Sequence, residues 1–191
     1  MLTRRRIITA SAILALVLFT VISNIVAAPR EHTAAVVFIP DNELLPMLVK
    51  DLANAKADIT CSIYMFKTDG LNNDTTAVIL GAMLDALSRG VTVSILMDIG
   101  DEDDLSNEYN IPTGKILENA GAVVMYDDPE RRLHTKLCVI DKELVYIGSH
   151  NYTFSVLSRN AEASVRIRSP EIAAEAIQYI FKTYDLAEHV K

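Results

Sequence analysis

Two apolar runs separated by three charged residues constrain this chain more than any other feature. They are Leu137-Cys138-Val139-Ile140 and Leu144-Val145-Tyr146-Ile147, with Asp141-Lys142-Glu143 between them. Runs of this length and composition read as short buried strands, and the polar trio reads as the tight turn of a hairpin. Chemistry-bearing residues flank the hairpin. His134 and Lys136 are two apart on the first strand, so their side chains leave on one face, about 7 Å apart along the chain. An imidazole beside an ammonium suits a core poorly. It suits a phosphate well, with the imidazole as nucleophile or proton carrier and the ammonium as a fixed charge on the non-bridging oxygens.

The rest of the chain alternates. Ala35 to Ile39 reads as a first strand stopped by Pro40, and Asp41 or Asn42 caps a helix running to about Ala57. Ile59 to Phe66 is a second strand. Lys67 to Asp74 is a loop, and a second helix begins at Asp74-Thr75-Thr76 and stops at Arg89-Gly90, where glycine takes the left-handed position after the last turn. Val91 to Met97 is almost continuously apolar, as in a strand covered on both faces, and Asp98 ends it. The acid run Asp101 to Asp104 reads as a solvated loop, Pro112 to Ala120 as a short helix, and Ala122 to Tyr126 as another strand. After the hairpin come a helical turn or loop at Thr153 to Arg159 and a strand at Glu162 to Arg168. A closing helix is capped by Ser169-Pro170 and turns Ile172, Ala176, Ile177, Ile180 and Phe181 inward. Strand and helix in alternation argue a layered α/β domain.

The N-terminus is of another kind. Arg4-Arg5-Arg6 precedes an uncharged apolar stretch from Ile7 to Val26, and Val26-Ala27-Ala28 fits a small-residue cleavage site. A cleaved secretory signal and a retained membrane anchor both fit residues 1–28, because 20 apolar residues are long enough to span a bilayer. Either way the rest of the chain is expected outside the cytoplasm, with the arginines on the inner side. Residues 29–34 are a polar linker in which His32 is expected to be solvated, and 35–191 form the functional domain. Without the three leader arginines the chain holds 15 basic and 25 acidic residues, a net charge of −10. That counts against a broad basic surface gripping nucleic acid but leaves room for a local positive cleft. Cys61 and Cys138 each sit in an apolar run. Buried free thiols are the expected state and a disulfide the alternative. No cysteine–histidine cluster has zinc spacing.

His134, Lys136, Asp141, Gly148, Ser149 and Asn151 together meet the pattern His-x-Lys-x4-Asp-x6-Gly-Ser-x-Asn. This resembles the signature of the phospholipase D superfamily, and Asn160-Ala161-Glu162 resembles the Asn-x-Glu that follows it in the family's short, single-motif nucleases. The resemblance implies an α/β/α sandwich around a central mixed β-sheet. It also implies a catalytic set of His134, Lys136, Asp141, Ser149, Asn151 and Glu162, with no cofactor and no metal. His134 would attack phosphorus and form a phosphohistidine. Lys136, Ser149 and Asn151 would contact the phosphate, and Glu162 would hold a histidine ring nitrogen. Asp141, at the turn and of opposite parity to His134, reads as a structural partner of this set. Arg131 and Arg132 could flank the substrate. His150 occupies a variable position of the pattern and is not assigned.

A single histidine serves poorly as both nucleophile and leaving-group acid, and the chain has one copy of the motif. The resemblance therefore implies a homodimer with two His134 residues meeting on a twofold axis. The leading expectation is a metal-independent nonspecific endonuclease acting on nucleic acid. The first alternative is a phospholipase D acting on phospholipid headgroups, and the second a catalytically silent binding module. Membrane association through the N-terminus remains open beside all three.

Overall fold

The computed structural model describes residues 30–68 and 75–188. The leader lies outside this range, as does most of the loop expected between Lys67 and Asp74. Seven strands form one mixed sheet: β1 (Ala35–Pro40), β2 (Asp58–Ile63), β3 (Thr92–Met97), β4 (Val123–Tyr126), β5 (Lys136–Ile140), β6 (Leu144–Gly148) and β7 (Ala163–Arg168). Their spatial order is β1-β7-β6-β5-β2-β3-β4. Helices α1 (Leu44–Asn54), α2 (Thr75–Ser88) and α3 (Leu105–Asn119) precede β2, β3 and β4, and these three strands run parallel. The remaining pairs are antiparallel. A short α4 (Phe154–Ser158) joins β6 to β7, and α5 (Pro170–Glu188) closes the chain. The α/β layered fold with a mixed sheet is thus the observed one.

Each sheet face has its own core. On one, α1 and α2 bring Leu48, Leu52, Ile79, Leu80 and Met83 against Cys61, Ile63, Ile95, Cys138 and Ile140. On the other, α5 brings Ala173 and Ile180 against Leu96, Leu137, Val139 and Val145. Strand β3 contributes to both, which is why it reads as a continuous apolar run. Phe181 is 40% exposed rather than inward. Ala173, about two turns earlier on the buried stripe, packs against the sheet instead.

The hairpin forms as expected. Asp141 and Lys142 both have positive φ, 53° and 54°, the geometry that matches the twist of paired strands. The Asp141 carboxylate accepts backbone N–H bonds from Lys56, Ala57 and Asp58, between 2.8 and 3.3 Å. It fastens the turn to the start of β2.

Three expectations change. Helix α3 begins at Leu105, not Pro112, and carries Pro112 in its interior. Asp104 caps it by accepting from the Ser106 N–H, and buried Asn110 locks it in place. The Asn110 side chain donates to the carbonyls of Tyr64 and Asp98 and accepts from the Phe66 N–H, each at 2.8 Å. These tertiary bonds offset the hydrogen bond the proline omits. Cys61 and Cys138 are not free thiols: they sit directly opposite each other on β2 and β5 and form a disulfide. Register, which spacing alone could not reveal, put them side by side. His32 is partly buried and bonds Glu175 of α5 at 3.0 Å.

Candidate active site

The motif residues collect at one end of the sheet. His134 lies just before β5 rather than within it, and its ring is exposed. The approach segment is held from below by Asp98, fully buried at the end of β3. Its carboxylate accepts the Leu133 N–H at 2.7 Å and an Arg132 N–H at 2.8 Å. Burial pushes the Asp98 carboxyl up, against these donors. The other side of the segment is tied to β2. The Tyr64 N–H donates to the Thr135 carbonyl at 2.9 Å, and the hydroxyls of Ser62 and Thr135 are bonded.

Tyr64 is the ring around which the cations gather. The His134 ring centroid lies 4.8 Å from it, Lys136 Nζ 4.9 Å and the Arg132 guanidinium carbon 5.4 Å. Lys136 is 9% exposed, and its Nζ donates to the His134 carbonyl at 2.8 Å. Burial lowers the Lys136 ammonium to about 8, although Glu162 and Asp98 oppose the shift. Partial burial, then the Lys136 charge, lowers the His134 imidazole below its ordinary value. Such lowering favours the neutral imidazole, the form with a lone pair to offer.

Gly148 and Ser149 come off the end of β6, beside the segment that carries His134. A Cβ on Gly148 would collide with Ser164 of β7, its α-carbon lying at 2.5 Å, so only glycine lets the strands close here. The Ser149 hydroxyl donates to Glu162, and Asn160 donates to the same carboxylate at 3.3 Å. Within the chain Glu162 is thus bonded to Ser149 and Asn160 rather than to an imidazole. Asn151 Oδ1 is buried with no hydrogen-bond partner among the described residues. Asp141 stands at the far end of β5, away from His134.

His150 is buried and structural, its Nδ1 bonded to Ser164 Oγ and its Nε2 to the Asp41 carbonyl, each at 2.7 Å. Neither arginine is free. Arg131 is paired with buried Asp127 and donates to the Thr183 carbonyl at 3.0 Å. Arg132 pairs with Asp98 and with Asp104, holding the Asp104 carboxyl well below the usual carboxylate range. Sequence reasoning left Tyr64 and Asp98 without a role. Their only signal was position, each at or near the end of a buried strand that reaches the motif.

Two cavities border this end of the sheet. One, of about 500 Å³, runs from His134 and Lys136 between the sheet and α5, past Leu137, Ile147, Ile167 and Tyr179. The other, of about 430 Å³, has Asn151, Met65, Lys67, Tyr109 and Phe154 on its walls. There Lys67 Nζ sits 4.5 Å from the Tyr109 ring centre. Among the described residues no group of three or more histidine, cysteine, aspartate or glutamate side chains is arranged to hold a metal ion.

Such a sheet, with a histidine–lysine pair leading into its central hairpin, defines the phospholipase D-like class of α/β phosphodiesterase domains. The chain belongs to that family: the model described as "Cardiolipin synthase, PLD-like domain" matches residues 48–184. It is 28% identical to cardiolipin synthase B of Escherichia coli K12 over 150 residues, 70% of this chain and 34% of that one. It is 33% identical to a phospholipase D of Rickettsia conorii over 131 residues, 68% of this chain and 60% of that one. It therefore spans between a third and three-fifths of these curated relatives. Among solved structures it superposes on Nuc of Salmonella typhimurium, a phospholipase D family member, with a TM-score of 0.67 and 21% identity. That match covers 80% of this chain and 95% of the other. NucT of Helicobacter pylori matches with a TM-score of 0.63 and 17% identity, over 80% of this chain and 97% of the other.

Proposed function

We propose that this chain hydrolyses phosphodiesters through a phosphohistidine on His134, acting on nucleic acid as a homodimer. The observation that carries the reading is the exposed, weakly basic His134 imidazole next to the fixed ammonium of Lys136. The imidazole lone pair forms an N–P bond as the P–O bond to the leaving group breaks. The departing oxygen takes a proton from the His134 imidazolium of a second copy. Water then loses a proton to that second imidazole and attacks phosphorus, releasing His134. Lys136 and Asn151 carry the charge that develops on the non-bridging oxygens. Glu162 holds the Ser149 hydroxyl in place beside them.

The cavity at Asn151 supports nucleic acid as the substrate. A tyrosine, a phenylalanine and a lysine among its lining residues suit a base that stacks and a phosphate that follows it. The apolar cavity at His134 favours a second reading, a phospholipid whose acyl chain lies between the sheet and α5.

Full-length protein and its His134→Ala variant, in excess EDTA, would be offered labelled DNA and phosphatidylcholine vesicles in parallel. DNA cleavage by the parent alone supports the proposal, and headgroup release alone transfers it to the second reading. Activity lost in EDTA, or kept without His134, removes the phosphohistidine.

A further inference from the structure

The cations of the domain are held in two different ways. Arg131, Arg132 and Arg166 are paired with carboxylates. Lys67 and Arg159 have no carboxylate partner among the described residues, and each lies on an aromatic ring instead. Lys67 Nζ is 4.5 Å from the Tyr109 ring centre, and the Arg159 guanidinium carbon is 5.0 Å from that of Phe154. Both pairs are fixed by backbone bonds close to the motif. The Lys67 N–H donates to the carbonyl of Tyr152, the residue after Asn151, at 2.9 Å. Phe154 opens α4 and Arg159 follows its last residue, where the Arg159 N–H donates to the Ser155 carbonyl at 2.9 Å.

The two pairs meet around Asn151. Lys67, Tyr109 and Phe154 line its cavity of about 430 Å³, within the range of small-ligand pockets, roughly 300–1,000 Å³. Phe154 is 47% exposed, as is Leu105, which lines the same cavity. The lining holds a lysine and no carboxylate, although outside the leader the chain has 25 acidic residues against 15 basic. Arg159 lines a second cavity, of about 350 Å³, beside Asn160, which donates to Glu162. Aromatic rings with cations on them meet the needs of an unpaired strand: a π-face for a base and a charge for the phosphate that follows.

We propose that the cavity at Asn151 is a subsite for one unpaired base of the nucleotide next to the scissile phosphate. The base stacks against Tyr109 and Phe154, and Lys67 and Arg159 hold phosphates on either side of it. The proposal rests on the nucleic-acid reading of the His134 site and adds the residues that select the substrate. A base within a duplex has both faces stacked already, so the cavity favours a single strand. Asn151, Thr153 and Ser155 interrupt the apolar lining with amide and hydroxyl groups, which suits the edge of a base better than an acyl chain.

The test measures binding to full-length His134→Ala protein, which removes turnover from the readout. Fluorescence anisotropy would follow a labelled single-stranded DNA octamer, the same backbone without bases, and the duplex. The single strand should bind at least tenfold more tightly than either, a difference within reach of base–aromatic stacking and one that needs no further variant. Adding Phe154→Ala or Tyr109→Ala should remove most of that difference, with circular dichroism checking each fold. Adding Lys67→Gln or Arg159→Gln should each lower the slope of log Kd against log salt by about 0.7, the share of one phosphate contact on a single strand. Equal binding of the abasic or duplex octamer, folded ring variants that bind like the parent, or unchanged salt slopes would each overturn the proposal. So would dihexanoyl phosphatidylcholine that displaces the octamer from the parent but not from Phe154→Ala, because the cavity would then belong to lipid. Wild-type protein that cleaves no DNA would sink the underlying reading, whereas DNA cleavage together with any of these failures removes the subsite alone.

Discussion

Lys136 Nζ donates a hydrogen bond to the carbonyl oxygen of His134, 2.8 Å away, so the ammonium is anchored on the backbone of the residue it assists. One bond thereby positions both the charge and the loop that presents the imidazole. Replacing Lys136 with methionine keeps the apolar stem and removes both functions. We expect kcat on a small diester to fall by about 100- to 1,000-fold, the loss typical of one charge-stabilising donor. Steady-state kinetics would check this, and a fall confined to KM would contradict the role.

The two shifted groups set the pH profile. Lys136 titrates at about 8, so its charge is present below that value and lost as pH rises through it. His134 is lowered, so the neutral nucleophile persists below the ordinary histidine value and is lost only as pH falls through its depressed one. The paired imidazoles, one neutral and one protonated, limit kcat/KM on both sides, and loss of the Lys136 charge adds a further descending limb near pH 8. Lys136→Arg should move that limb upward by more than a unit, because guanidinium stays charged. An unmoved limb would assign it to another group.

Asp98 should matter for stability and activity together. Changing it to alanine strands the buried Leu133 N–H and leaves Arg132 held by Asp104 alone, so a loss of about 2 kcal/mol is expected, the scale of one buried unsatisfied donor. Urea unfolding measures this. Activity should fall further than the unfolded fraction explains, since the segment ending at His134 loses its floor.

The disulfide closes a loop with a sequence separation of 77 residues, for which the chain-entropy relation gives about 4.5 kcal/mol. A Cys61→Ala/Cys138→Ala double variant should therefore unfold at clearly lower denaturant. Both sulfurs are fully buried, so a reductant should lower the wild-type midpoint toward that of the variant only when present during unfolding and refolding. A midpoint indifferent to reductant would show that the bond does not form.

Gly148→Ala probes the strand junction itself. Its methyl group would meet Ser164 and the Ala163 carbonyl, so a cost of about 1–3 kcal/mol is expected, visible in thermal unfolding. Gly81, whose added Cβ meets nothing within 4 Å, is the matched control.

The hairpin, the alternation of strands and helices and the identity of His134 and Lys136 were legible because they depend on local pattern. Apolar runs must be buried, and three charged residues between two of them leave room for little but a turn. Pro112 misled for the same reason: proline reads locally as a helix start, whereas Asn110 binds three distant backbone groups and carries the helix through it.

The linear chain by itself determined the elements, the motif and the chemistry its residue types favour, since periodicity and spacing are properties of neighbours. Only the tertiary structure decided that Cys61 meets Cys138, that Tyr64 and Asp98 belong to the site, that Arg131 and Arg132 are paired with carboxylates, and that β1 leaves Phe38 exposed at the sheet edge. These depend on the register and order of strands far apart in sequence. The burial of both sheet faces selects that register, and no local window of sequence contains it.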